Sequence, residues 1–259
     1  MVRSKLRDTI AFCLGIVLIG VILQAAGALK GDNLVFPGVD VILSAFGRII
    51  TTGKTWQMIF TTMKDLIFSM AVSTVLGVVI GLAMGMLPFL RQMLKPMLIM
   101  LRSLPMVILI VIIMVLTDYS RVPVTASSII LVPMIAEAAC EGCVRIDKEL
   151  IDVYRMNAGF NLRVLFQVYL PLMAGYLKQA YVNAVGMGVK LAVSTEYMVQ
   201  TKNSLGKAVH TSAYFNEYQD IYAYALVMIL LVLVVSELPV WLMNAAARWK
   251  ERAYEKERP

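Results

Sequence analysis

Histidine, cysteine and charge are all scarce in this sequence: among 259 residues there is one histidine, there are three cysteines, and Asp, Glu, Lys and Arg together make up 16%. The single His210 stands far from Cys140 and Cys143, so no histidine–cysteine cluster of metal-ligand spacing exists. Cys140-x-x-Cys143 has the spacing of a redox pair or half a zinc site, but no second pair accompanies it. With Cys13 the count is odd, which argues against a disulfide framework. The pair reads as small residues at the end of an apolar segment. Phe12 is bulky where a lipid-modified N-terminal cysteine wants a small neighbour, so Cys13 is not read as a lipid anchor. No nucleophile elbow and no metal-ligand cluster are present, which argues against an intramembrane enzyme. The net charge is +7, yet no face gathers a basic stripe with interleaved aromatics, so nucleic acid is not an expected partner.

What is abundant is apolar sequence. Apolar residues make up 59% and the mean hydropathy is +0.76, well above a soluble domain. The expectation is one polytopic, all-α membrane domain with no separate soluble part. The 18 methionines are dispersed over the apolar segments and read as core packing.

Arg3, Lys5 and Arg7 precede an apolar run from Thr9 to Leu29, long enough for an uncleaved first span with its N-terminus inside. After Phe36-Pro37-Gly38, residues Val39 to Ile50 carry apolar side chains at helical spacing, which predicts a helix in the membrane interface. Further spans are predicted at about Leu66–Leu87, Pro96–Thr117, Pro123–Cys140, Tyr176–Gln200 and Ile221–Ala245, with a short turn at Pro88–Lys95. Gly77, Gly81 and Gly85 form a small-residue stripe on the second span, the signature of a close helix contact.

With the N-terminus inside, six spans place sixteen Lys and Arg on the cytoplasmic side and seven outside, which satisfies the positive-inside rule. Both termini are then cytoplasmic, and Lys190 is left inside a span. Gly47-Arg-Ile-Ile-Thr-Thr-Gly53-Lys54-Thr55 looks like a phosphate-binding loop, but it has five residues between its glycines rather than four. The pattern also needs a preceding strand, and the topology puts this segment outside, away from ATP. No nucleotide site is expected on this chain.

Residues 141–171 are a polar, amphipathic stretch between apolar segments. Leu150, Ile151, Val153, Tyr154 and Met156 supply apolar contacts, Asn157 and Gly159 suit a helix end and turn, and Leu162 to Tyr169 resumes an amphipathic pattern before Leu170-Pro171. Two short helices about a turn make a knob that fits a groove in a partner. Periodicity alone equally allows a structured loop with no partner. Lys190 and Glu196, six residues apart, point away from each other on a helix. Each reads either as a group on a solute path or as an internally paired packing site. Glu237 reads as a snorkelling or packing group.

The same stretch resembles the cytoplasmic signature loop of ABC-importer permeases of the binding-protein-dependent type. Counting back nineteen residues from Pro171 puts the family's acidic residue on Asp152 and its small pair on Val153 and Tyr154; its glycine position falls on Ala158, with Gly159 one place late. Val168-Tyr169-Leu170-Pro171 matches the end of the motif. The literal Glu137-Ala138-Ala139 lies thirty-four residues before Pro171 and is not read as the signature. Gly142-x-x-x-Ile146-Asp147-x-Glu149-Leu150 is similar to the sulfonate, taurine and nitrate branch. So are Leu101-Arg102-Ser103-Leu104-Pro105, Lys190 with Glu196 and Gly206, and Phe36-Pro37 with Thr62.

The resemblance implies a type I ABC-importer permease fold over 1–259, with a core at about 60–245 and a coupling loop at about 141–171. It implies that Asp152, Val153, Tyr154, Arg155, Met156, Asn157, Ala158, Gly159 and Phe160 dock into a cytoplasmic ATPase, with Pro171 ending the motif. The chain would then be no enzyme and would bind no cofactor; ATP and Mg would be used by the partner ATPase. Two permease chains would pair in the lipid of a prokaryotic plasma membrane, and an extracytoplasmic solute-binding protein would deliver a small organic anion or a vitamin precursor. The alternative is an ATP-independent secondary transporter or channel using Lys190, Glu196 or Glu237.

Overall fold

The structure, a computed structural model, describes residues 35–146 and 164–235, with isolated positions at 18, 21, 25 and 149. The predicted first span, most of the coupling stretch and the end of the last span lie outside these residues. Among the described residues the chain forms eight helices: α1 (Val39–Thr51), α2 (Gly53–Met86), α3 (Pro88–Ser103), α4 (Met106–Leu116), α5 (Val122–Val144), α6 (Leu170–Val199), α7 (Leu205–Tyr214) and α8 (Tyr218–Val235). No strand occurs among them.

The local chemistry of the boundaries explains this order. α1 follows Pro37-Gly38 and buries Ile42, Ala45 and Ile49, which recur at helical spacing. The helix predicted at 39–50 is therefore present. One extended residue, Thr52, separates α1 from α2, and another, Leu87, separates α2 from α3. Pro88 opens α3, where its missing N–H costs nothing. The segment predicted as a short turn at Pro88–Lys95 is thus the first half of a helix, and Pro96 lies within it.

The predicted third span at Pro96–Thr117 is broken. α3 and α4 meet at 101° across Leu104-Pro105. Leu104 precedes a proline, is pushed out of the helical region and sits at φ −65°, ψ 130°. α2, α5 and α8 are each long and apolar enough to cross a bilayer. At 34 residues α2 measures about 51 Å, well beyond an apolar core of about 30 Å. Its N-terminal half meets α7, through Thr62.

The largest packed interface joins α2 to α5, followed by α5 with α6. The glycine stripe makes the first of these. A side-chain carbon at Gly77 would lie 2.8 Å from Cβ of Ile135, and one at Gly85 would lie 2.5 Å from Cβ of Cys143. At Gly81 it would collide with the Ala136 carbonyl and fall 2.5 Å from Cβ of Ala139. Cys140 and Cys143 are buried in this contact as free thiols. Large apolar side chains on the other faces of α2, α3, α4 and α8 remain exposed, as lipid-facing surfaces do.

Gly81→Ala is expected to lower the stability of the purified chain by about 1–3 kcal/mol through overpacking. Gly47→Ala is the control: nothing lies within 4 Å of its added carbon, so helix propensity alone raises stability slightly. Thermal unfolding of both variants in detergent checks the pair. Equal melting temperatures would remove the close α2–α5 contact.

Candidate functional site: a buried carboxylate and a polar helix face

α6 organises the polar chemistry of the molecule, because its two faces carry opposite kinds of polar residue. It begins in a helical segment that already runs from Val164, through a π-helical turn at Leu165–Tyr169. The wider turn passes over the N–H that Pro171 lacks, so the helix continues where the sequence suggests a stop at Leu170-Pro171. Pro171 therefore lies in the first turn of α6. The other predicted docking residues, Asp152 to Phe160, lie outside the described residues.

On the inner face, Glu196 is completely buried. Its Oε2 accepts a hydrogen bond from Thr62 Oγ1 on α2 at 2.9 Å and another from the Gly206 N–H at 3.1 Å. Thr62 Oγ1 in turn accepts from the Leu205 N–H at 3.2 Å. Leu205 and Gly206 form the first turn of α7, whose N–H groups have no partner within the helix. Ser204 caps the same turn, its Oγ accepting from the Lys207 N–H at 3.2 Å. One carboxylate and one hydroxyl thereby tie three helices together. The short α7 can then lie against the longer helices with its first turn satisfied. Glycine is needed at 206, since a side-chain carbon there would lie 2.5 Å from Glu196 Cβ and from the Tyr197 nitrogen. Glu196 Oε1 is buried without a partner among the described residues.

Lys190 occupies the other face and is exposed, as the angular spacing predicts. It belongs to a row that sequence reasoning did not assemble. Tyr176, Gln179, Asn183, Met187, Lys190, Ser194 and Tyr197 are all exposed, and they recur every third or fourth residue along one side of α6. From Tyr176 to Tyr197 the row runs about 32 Å, close to the thickness of a bilayer's apolar core. All but Met187 are polar or charged. The signal was available in the 3.6-residue period, but hydropathy averaging hides a one-sided row inside an otherwise apolar helix.

The remaining sequence candidates resolve simply. Gly47 lies within α1 and Gly53 opens α2, so the near-miss phosphate loop is a junction between two helices. His210 sits on α7, with its Nε2 3.3 Å from Gln200 Nε2 and its ring edge-on to Tyr197. No group of His, Cys, Asp or Glu among the described residues is arranged to hold a metal ion.

A family model described as "Binding-protein-dependent transport system inner membrane component" matches residues 73–252, well over half of the sequence. The chain belongs to that family, the permease subunits of ABC importers. Its fold is also similar to a chain in a solved structure of the MetNI methionine ABC transporter in inward-facing conformations. That match has a TM-score of 0.51 and 19% identity over 76% of this chain and 93% of the other. At that identity the likeness speaks for the fold of the permease alone. No curated protein matches the sequence.

Removing the carboxylate should be costly. Glu196→Ala leaves the Thr62 hydroxyl and the Gly206 N–H without an acceptor, and is expected to destabilise the permease by about 2–4 kcal/mol. Glu196→Gln keeps an acceptor oxygen and should cost much less. Thermal melting of the two variants, with proteolysis near 200–215 as a local readout, decides the matter. An Ala variant as stable as wild type would show that the carboxylate does not hold α7.

Proposed function

We propose that this permease subunit carries a small solute across the membrane by alternating access, driven by ATP hydrolysis in a separate cytoplasmic subunit. The solute on this reading is an organic anion, such as a sulfonate, or a vitamin precursor. The observation that supports it best is the polar row on α6. A lysine facing lipid near the bilayer centre costs about 2.5–3.5 kcal/mol on insertion scales, and the neighbouring amides and hydroxyl add to that. A row of bilayer length with this composition is at home against water or against a second copy of the chain. A pair of permeases with their α6 rows facing a shared path satisfies both conditions, and Lys190 then gives the path a positive charge.

Glu196 has a different part on this reading. It is turned away from the row and joins α7, with the polar loop at 200–204, to α2 and α6. A solute-binding protein that docks on this outer region would therefore press on a segment hydrogen-bonded directly to two long helices. The cytoplasmic end supplies the drive. Asp152 to Phe160 would seat in a groove of the ATPase, and α6 is the helix that follows. Movement of the docked segment would pass to the polar row through a helix that is continuous from Val164 to Val199.

Three results are expected in reconstituted or cellular uptake. Lys190→Gln raises the half-saturation concentration roughly fivefold, the loss of about one exposed charge contact. Gly159→Pro leaves ATP hydrolysis running but uncouples it from uptake. Uptake survives a protonophore that collapses the proton gradient and is lost when the ATPase is deleted. Uptake abolished by the protonophore and indifferent to any ATPase would instead support a secondary transporter.

A further inference from the structure

Arg102 stands in the last turn of α3, just before the break at Leu104-Pro105, and its Nη1 donates to Oε2 of Glu137 on α5. The pair is not sealed. The side chains are 46% and 34% exposed, and both line a groove of about 510 Å³ between α5 and α6. Tyr176, Gln179 and Asn183 of the polar row form its other wall, and the small Ala138, Gly175 and Ala180 keep it open. Among the described residues Glu137 is the sole side-chain acceptor for that guanidinium, which also lines the groove.

Glu141 lines this groove too, and both carboxylates also line a second groove of about 230 Å³ that Arg91 and Lys95 border. Arg91, Lys95 and Arg102 lie within about 40° of one another around α3. Three cations therefore address two carboxylates, and the cluster carries a positive excess. A glutamate released from Arg102 does not become an isolated charge, because Arg91 and Lys95 border the groove it already touches.

We propose that Arg102 recognises the acid group of an anionic solute and that Glu137 is its resident counter-ion, displaced when the solute arrives. The proposal rests on the import reading above and narrows it. A guanidinium presents a planar fork that matches a sulfonate or carboxylate, whereas the Lys190 ammonium offers only a point charge. Exchange is feasible because a part-exposed ion pair is weak. In the empty permease Glu137 neutralises Arg102, so stray inorganic anions meet a competitor. A solute that also satisfies Tyr176, Gln179 and Asn183 outcompetes it.

The test uses the full-length permease purified with its ATPase and titrates ethanesulfonate by calorimetry. Wild type and the remote surface variant Arg121→Gln should bind alike. Glu137→Gln removes the competitor and should bind roughly fivefold more tightly. Arg102→Gln should lose saturable binding, and Arg102→Lys should fall between. A gain of affinity in Glu137→Gln cannot come from misfolding, which keeps the result interpretable if Arg102→Gln proves unstable. The proposal is overturned if Glu137→Gln binds no more tightly than wild type, if Arg102→Gln binds as wild type does, or if neither wild type nor Glu137→Gln binds the sulfonate. Ethylammonium binding that disappears in Glu137→Gln would likewise overturn it, by making the groove a cation site. Co-purification and ATP hydrolysis are scored separately, so failure of the importer reading shows as a missing ATPase whatever the titration gives.

Discussion

The architecture depends on how closely α2 can approach α5. Helices in lipid gain little from apolar burial against each other, because the solvent is itself apolar. Close packing of small residues takes its place. Gly77, Gly81 and Gly85 let the backbone of α2 rest on Ile135, Ala136, Ala139 and Cys143. That contact fixes α5, and α5 in turn carries α6. The cysteine pair belongs to this packing: Cys143 fills the space that Gly85 leaves.

Once those helices are placed, polar groups tend to find a partner inside the protein or to stay exposed, with Ser127 Oγ, Glu196 Oε1 and Thr201 Oγ1 as buried exceptions among the described residues. Glu196 and Thr62 find partners in the first turn of α7. Arg102 and Glu137 find each other at the mouth of a groove. The row from Tyr176 to Tyr197 stays exposed. Carboxylates on helices thus serve two ends. At Glu196 full burial and two donors make a fixed joint, whereas at Glu137 partial exposure and nearby cations make an exchangeable contact.

Much of this was legible in the sequence, and the exceptions have physical causes. The amphipathic period gave α1 almost to the residue, and the glycine stripe announced its own contact. Prolines were harder to read. Pro96 and Pro133 are accommodated inside helices, Pro88 opens one, and Pro171 is absorbed by a π-helical turn. Pro105 ends its helix through the extended conformation of Leu104. Local sequence says that each is special but not which one the packing accommodates. Glu196 was recognisable as an intramembrane acid lying opposite Lys190. That its partners are Thr62, 134 residues away, and the N–H of Gly206, 10 residues on, follows from how the helices pack, although both residues had stood out within the family-like motifs.

The central claim is that this permease is moved by an ATPase it does not contain. The most direct measurement is an affinity pull-down of the tagged full-length chain from gently solubilised native membranes, with subunit stoichiometry read by mass spectrometry. The account predicts an ABC ATPase in near-equimolar amount. A clean homo-oligomer with no ATPase would contradict it.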